Sequence, residues 1–220
     1  PKTDYAPTTA ISSISWDDPN FPNIEGFGVW AAKCNFTMGP DGKMYSRMLG
    51  GNLVRIDVEN ARGENLTNGD LVGTKDGSAY GLVFDPQDEN VFYFSNNDKH
   101  CIYKYDLRTK ECACWAGQEG KSGYLDGPIG QAMFNKPGQM CVDSEGNIIL
   151  TDTENHCIRK ITMSTGYVST LAGKPQNSGY VNGSAEDAQF KKPLGICIDN
   201  DDVMYIGDSE NRAIRRLAVE

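Results

Sequence analysis

The stretch KPGQMCVDSEGNIILTDTENHCIRKI, from Lys136 to Ile161, returns 56 residues later as KPLGICIDNDDVMYIGDSENRAIRRL, from Lys192 to Leu217. The two segments align without a gap, so that Asp152 matches Asp208 and Arg159 matches Arg215. A fixed period in this size range is typical of propellers and solenoids, because each repeat is one unit that buries its apolar faces against its neighbours. The chain is therefore built from repeats.

The loops repeat together with the strands, since GYLDGPIGQAMF from Gly123 to Phe134 matches GYVNGSAEDAQF from Gly179 to Phe190 at the same shift. One unit earlier, the segment from Val91 to Asp106 aligns so that Asn96 falls on Asp152 and His100 on His156. A fainter copy runs from Gly39 to Asp57. Four units can thus be recognised.

Each unit reads as four short strands that are rich in β-branched and aromatic residues. In the best-defined unit we predict strands at Gln139–Asp143, Asn147–Thr151, Cys157–Thr162 and Tyr167–Ala172, joined by tight turns at residues 144–146 and 164–166. A lone four-stranded sheet exposes both faces, whereas radial stacking of such sheets covers them. The predicted fold class is all-β, a β-propeller of four-stranded antiparallel blades, in which the visible units form all or part of a ring.

The order A-x-F-x-x-P-x-G, D-x-x-G-N, D-x-x-N-x-x-I-R-K-I and L-A-G resembles NHL repeats. The pattern is carried by Ala132, Phe134, Pro137, Asp143, Gly146, Asn147, Asp152, Asn155, Ile158, Arg159, Lys160, Ile161, Leu171, Ala172 and Gly173. The resemblance is strong over residues 77–220, weak over 31–76 and absent from 1–30. It implies a propeller of the kind that bacterial cell-surface and secreted proteins carry, and hence favours that location.

The predicted organisation is an N-terminal segment, 1–30, followed by units at about 31–76, 77–135, 136–191 and 192–220. The last unit supplies only three strands, and its third strand would be left with an open edge. Residues 9–16 have the composition of a closing strand, and we predict that they pair with the strand around Ile214–Leu217. A longer propeller is the alternative.

The formal net charge of −9 comes from scattered acidic residues, which disfavours a nucleic-acid partner because phosphate binding draws on clustered cations. No apolar run is long enough for a transmembrane span. The seven cysteines lack the spacing of a metal site, and we interpret them as reduced and mostly buried core residues. Cys112 and Cys114 alternate along one strand, so their side chains are expected on the same face.

We predict no cofactor, metal or catalytic residue. His100 and His156 occupy equivalent positions in neighbouring units, about 10 Å apart, too far to share one zinc ion. Asp152 and Asn155 recur with the repeat and are interpreted as turn-shaping residues, and Arg159 as a cation that packs over an apolar face and pairs with a carboxylate of a neighbouring unit. Some NHL propellers resemble zinc-dependent lyases, but Gly138 and Leu194 stand where that resemblance calls for histidine.

The second turn of each unit and the connector to the next unit lie at the same end of the blades, and this end carries the sequence variety. Longer loops on a rigid scaffold usually carry binding residues. The predicted function is a non-enzymatic binding or scaffold propeller for a glycan, peptide or protein; the alternative is a metal-dependent lyase or hydrolase. The candidate ligand-binding residues are Trp115, Tyr124, Tyr180, Asp98, Lys99, His100, Glu154, His156, Glu210 and Arg212.

Overall fold

The computed structural model describes residues 36–47, 52–57, 60, 62–67 and 80–218. These residues form sixteen β-strands and two single-turn 3-10 helices, at Thr153–Asn155 and Ser209–Asn211. The strands are β1 (Thr37–Met38), β2 (Met44–Arg47), β3 (Leu53–Asp57), β4 (Arg62–Asn65), β5 (Leu82–Phe84), β6 (Val91–Asn96), β7 (Cys101–Asp106), β8 (Cys112–Gly117), β9 (Gly127–Pro128), β10 (Pro137–Val142), β11 (Ile148–Asp152), β12 (Cys157–Thr162), β13 (Tyr167–Ala172), β14 (Pro193–Ile198), β15 (Met204–Asp208) and β16 (Ala213–Leu217).

The strands form four antiparallel sheets that follow one another along the chain as the blades of a propeller, which confirms the predicted fold class. Blade 1 is β1–β4, blade 2 is β5–β8, blade 3 is β10–β13 and blade 4 is β14–β16. Each blade is a meander, with consecutive strands paired. Blade 3 carries a fifth strand, β9, which precedes β10 in sequence and pairs with the outer strand β13. The four strands predicted for this unit are all present.

Glycine allows the tight turns and the exits of the blades. Gly146 and Gly166 close the two short turns of blade 3 with φ of 82° and 62°. Gly173 leaves β13 with φ of 99°, and a Cβ there would stand 3.0 Å from both the His156 carbonyl oxygen and the Phe190 ring. The L-A-G ending of the repeat is therefore a steric requirement, because only glycine adopts this backbone conformation at so close an approach.

Among the described residues the core consists of three apolar layers, each lying between two consecutive blades. Tyr45 and Leu53 of blade 1 pack against Phe92 and Phe94 of blade 2. The next two layers lie between blades 2 and 3 and between blades 3 and 4. Both faces of blades 2 and 3 are consequently apolar, as expected for sheets that stack radially. The innermost strands β5, β10 and β14 contact one another from blade to blade and face the central axis.

The outer side of blade 4 is open within the described part of the chain. Strand β16 pairs only with β15 there, and the side chain of Ile214 is 75% exposed. The predicted closing strand, residues 9–16, lies outside the described residues.

The six described cysteines are free. Cys112 and Cys114 pack against the same core layer, as predicted from their alternation. The prediction that most cysteines are buried is wrong, because of the six described cysteines only Cys101 and Cys157 are fully buried. Cys112 and Cys114 lie on the outermost strand of blade 2, and Cys197 is exposed on blade 4, so these positions receive less cover than the middle strands do.

In the described ranges, no helix is long and apolar enough to cross a bilayer.

Candidate functional site

The second turns of the blades and the connectors between blades meet at one end of the propeller, which we call the long-loop end. It consists of the turns 97–100, 153–156 and 209–212 and the connectors 118–136 and 173–192. Backbone hydrogen bonds join turn to connector, from Gln176 N–H to the Asn155 carbonyl at 2.8 Å and from Glu210 N–H to the Lys191 carbonyl at 3.1 Å. The loops predicted to share an end therefore form one continuous surface.

The two histidines join neighbouring blades at this end. His100 and His156 close their turns in the left-handed conformation, with φ of 56° and 58°. The Nδ1 atom of His100 accepts a hydrogen bond from the Lys136 amide at 3.1 Å, and that of His156 accepts one from the Lys192 amide at 3.2 Å. An accepting Nδ1 requires the neutral tautomer with its proton on Nε2. Burial, followed by the charge of Lys136, lowers the pKa of His100.

Charged side chains alternate along the same surface. The Lys192 ammonium lies 3.4 Å from Glu154 and 3.1 Å from Glu210, and Lys191 lies 3.4 Å from Glu210. The hydrogen bond to Glu210 is the largest cause of the raised pKa of Lys192, and the same bond is the largest cause of the lowered pKa of Glu210. These partly exposed pairs bridge blades 3 and 4 and give the surface a fixed charge pattern.

A buried ion pair lies beneath the long-loop end and binds blade 3 to the preceding connector. Arg159 donates through Nη1 to Asp152 at 2.7 Å and through Nη2 to Asp126 and the Leu125 carbonyl at 2.6 and 2.9 Å. Asp152 also accepts from Asn155 Nδ2 at 2.8 Å. Arg159 therefore pairs with a carboxylate of its own blade and with one of the preceding connector. Blade 4 repeats the arrangement with Asp208, Asn211 and Arg215.

The two candidate tyrosines stack on these arginines. The Arg159 guanidinium lies 4.9 Å from the centre of the Tyr124 ring, and Arg215 lies at the same distance from Tyr180. The Tyr124 hydroxyl is also bonded to Thr170 of β13 at 2.8 Å, and burial raises its pKa. Tyr180 is 62% exposed, since the described part of blade 4 has no strand equivalent to β13.

The other candidate ligand-binding residues do not all lie at the long-loop end. Trp115 lies within β8, where its ring centre is 4.2 Å from that of Tyr93, so it faces the layer between blades 2 and 3. Asp98 is exposed, whereas Lys99 is half-buried and its amide donates to Asn96 Oδ1 at 3.1 Å. Arg212 is exposed and takes the left-handed position that the histidines occupy in blades 2 and 3. The structure thus brings His156, Glu154 and Glu210 together around Lys192, and places Trp115 away from them.

Sequence reasoning missed Lys136 and Lys192, whose amides the histidines bind. The sequence indicates their shared role, because the two lysines are equivalent at the 56-residue shift. It also missed Thr151 and Thr153, whose hydroxyls donate to the carbonyls of Leu194 and Pro193 at 2.9 and 2.8 Å. These bonds join β11 and the 3-10 helix that follows it to β14, next to the axis. Gly138 lies in the same seam, where a Cβ would meet Thr151 Oγ1 and the Leu194 carbonyl oxygen.

Within the part of the chain that the structure describes, no three His, Cys, Asp or Glu side chains are grouped closely enough to hold a metal ion. At the opposite, short-turn end, a groove of about 270 Å³ lies between blades 3 and 4 and is bordered by Asp143, Ser144, Lys160 and Asp202. Lys160 pairs with Asp143 at 2.9 Å, and Asp202 accepts hydrogen bonds from Ser144. The charged groups named here are thus already paired, Lys160 within blade 3 and Asp202 across to Ser144 of blade 3.

The model of the NHL repeat family matches residues 134–161, which run from the end of a connector through β10, β11 and β12. NHL repeat-containing protein 2 of Gallus gallus is 30% identical over 152 residues, which is 68% of this chain and 19% of the relative. The chain spans less than a fifth of the length of the curated relatives it matches first.

Two solved structures from Bacteroides thetaiotaomicron are similar over a large part of the chain. One is a protein of unknown function, with a TM-score of 0.77 and 28% identity over 84% of this chain and 46% of the other. The second is described as an auxiliary nutrient binding protein, with a TM-score of 0.70 and 28% identity over 83% of this chain and 46% of the other. The present chain therefore corresponds to just under half of each.

Proposed function

Because this chain belongs to the family of NHL-repeat proteins, we propose that it is a non-enzymatic binding propeller that recognises a glycan, a peptide or a protein with its long-loop end. Cell-surface or secreted location is part of this proposal, since such ligands are met there. The solved relative described as a nutrient binding protein supports a binding role.

The observation that carries the proposal is the fixed set of half-exposed polar groups around Lys192. His156 is held by its Nδ1 bond to the next blade, which leaves the Nε2 proton as a donor. Glu154 and Glu210 hold the ammonium of Lys192 between them. Groups that are already in place lose little conformational entropy when a ligand binds, which favours affinity.

The shape of the surface favours an extended ligand over a small molecule in a deep pocket. The turns and connectors are joined edge to edge by backbone hydrogen bonds. A glycan or peptide strand laid across several connectors would use the donors and acceptors of more than one blade.

A screen of the purified chain against immobilised glycans and peptides, followed by calorimetry, tests the proposal. His156→Asn keeps an acceptor for the Lys192 amide and removes the imidazole Nε2 donor, and Glu210→Gln removes one charge. We expect each substitution to weaken binding about tenfold, the effect of about 1.4 kcal/mol. Asp201→Asn at the short-turn end is the matched control and should leave the affinity unchanged.

Two results would contradict the proposal. Affinity that falls with Asp201→Asn but not with the two long-loop substitutions would place recognition at the other end. Conversion of the bound glycan or peptide into products would show that the propeller is an enzyme.

A further inference from the structure

An exposed Asn-Gly pair, Asn182 and Gly183, lies in the connector that precedes blade 4. The side chain of Asn182 is held by Arg215, whose Nη2 donates to the Asn182 Oδ1 at 2.7 Å. A guanidinium has hydrogen-bond donors and no acceptor, so the oxygen of the side-chain amide must face it. The nitrogen of that amide is left out of the contact with Arg215.

Blade 3 has a carboxylate at the same position. Asp126 is equivalent to Asn182 at the 56-residue shift, and Arg159 donates to it through Nη2 at 2.6 Å. The neighbouring contacts also agree, since the carbonyls of Leu125 and Val181 accept from the two arginines at 2.9 and 2.6 Å. The fold therefore accommodates a carboxylate at this point of a connector.

The two arginines differ in the number of carboxylates that they bind. Arg159 lies between Asp152 and Asp126. Within the described residues, Arg215 pairs with a single carboxylate, that of Asp208 at 2.9 Å. A carboxylate forms a stronger hydrogen bond with a guanidinium than an amide oxygen does, because it carries a full negative charge. An aspartate at position 182 would give blade 4 the second ion pair that blade 3 already has.

The backbone after Asn182 is open to the chemistry that makes this change. Gly183 has a φ of 155°, and the nearest atom to a Cβ there would be the Asp187 Cβ at 3.6 Å. Glycine places no side chain beside its own amide nitrogen. In the described part of the chain the Gly183 amide donates no hydrogen bond. Its nitrogen can therefore approach the side-chain carbon of Asn182 and close a succinimide ring.

We propose that Asn182 is a deamidation site, where asparagine becomes aspartate with water as the co-reactant. The Gly183 nitrogen loses its proton to solvent and bonds to Cγ of Asn182. The bond from Cγ to the side-chain nitrogen breaks, and this nitrogen takes up a proton and leaves as ammonia. Water then bonds to Cγ, the bond from Cγ to the Gly183 nitrogen breaks, and that nitrogen regains its proton. Arg215 stabilises the negative charge that develops on Oδ1 during the attack.

The first test keeps the folded whole chain in mildly alkaline water enriched in heavy oxygen and follows each asparagine by peptide mass spectrometry. We expect Asn182 to incorporate heavy oxygen in place of its side-chain nitrogen. The exposed Asn177 of the same connector precedes Ser178, and Asn182 should react about tenfold faster because serine carries a Cβ. Asn182→Gln, whose longer side chain would close a larger ring, is the control variant and should keep its amide.

The second test measures the effect of the product on blade 4 with Asn182→Asp, which needs no ring closure. We expect its midpoint of urea denaturation to lie above that of the wild type, since Arg215 gains a second ion pair. Asn177→Asp is the matched control, because it adds the same charge outside the contacts of Arg215. It should leave the midpoint unchanged.

The wild-type measurement decides whether the site reacts, whatever the variants do. The proposal is overturned if Asn182 keeps its amide for as long as Asn177 does. It is also overturned if Asn182→Asp does not raise the midpoint above those of the wild type and Asn177→Asp, since the carboxylate would then not pair with Arg215.

Discussion

At the scale of single residues, the histidines show how one side chain can fix a turn and join two blades. His100 accepts the Lys136 amide through Nδ1, which only its neutral form can do. Its position in the left-handed region is unusual for a residue with a side chain. His100 thus has a structural function as well as a position on the candidate surface.

The lowered pKa of His100 makes the stability of the fold depend on pH. The unfolded histidine takes up a proton near pH 6.5, whereas the folded one does so only at lower pH. The contribution of His100 to the free energy of unfolding is therefore complete above about pH 6.5 and is lost as the pH falls below that value. Asn accepts a hydrogen bond and tolerates the left-handed conformation, so His100→Asn should give a flatter profile of unfolding free energy in urea between about pH 8 and pH 5.

His100→Ala separates the two roles of the side chain. It removes the acceptor and keeps the unfavourable backbone conformation, and it should cost about 1–3 kcal/mol at neutral pH. Because other groups titrate in the same range, the quantity to compare is wild type minus His100→Asn at each pH. A difference that stays constant with pH would show that the pKa of His100 is the same in the folded and unfolded states.

At the scale of elements, blades 2 and 3 fill the same buried position with different pairs of side chains. Blade 3 ties its middle strands to the connector with the fully buried pair Asp152 and Arg159. The equivalent residues of blade 2 are Asn96 and Tyr103, which are also fully buried and carry no charge. The fold therefore accepts either a paired charge or a neutral pair at this position, but not a single buried charge.

Exchange of these residues tests that rule. Arg159→Tyr alone leaves Asp152 as an uncompensated buried carboxylate and should cost roughly 3–5 kcal/mol. The double variant Asp152→Asn with Arg159→Tyr copies blade 2 and should recover part of the loss, with a coupling energy of about 0.5–3 kcal/mol. Urea denaturation of both single variants and the double variant measures this. Strict additivity would show that the two side chains act independently.

The strands were predictable from the sequence because the same pattern of strand and turn residues occurs in two aligned units. The strands Cys157–Thr162 and Tyr167–Ala172 occur as predicted, since β-branched runs between glycine turns leave few alternatives. The fifth strand β9 was not foreseen, because two residues, Gly127 and Pro128, carry no strand pattern and pair only when β13 is already in place. Nor does spacing show that Trp115 turns toward Tyr93, since that depends on a bulge in β8.

At the scale of the whole molecule, stability is shared between neighbours, since each apolar layer belongs to two blades. Blade 3 has a described partner on both faces, with Ile149 facing blade 4 and Leu150 facing blade 2. Blade 4 has one such partner, and Ile214 on its other face is largely exposed. A sheet with one covered face has fewer contacts to lose when it opens.

Hydrogen exchange of backbone amides should report this difference. Strand β16 pairs along one edge within the described residues, whereas β12 pairs with both β11 and β13. We expect the amides of Ala213–Leu217 to exchange faster than those of their equivalents Cys157–Ile161, with the difference largest at Ile214 and Arg216, because an open sheet edge admits water to every second N–H group. The comparison of identical repeat positions cancels most of the effect of local sequence. Equal protection of the two strands in mass spectrometry of exchanged peptides would mean that the edge and face of blade 4 are covered in solution.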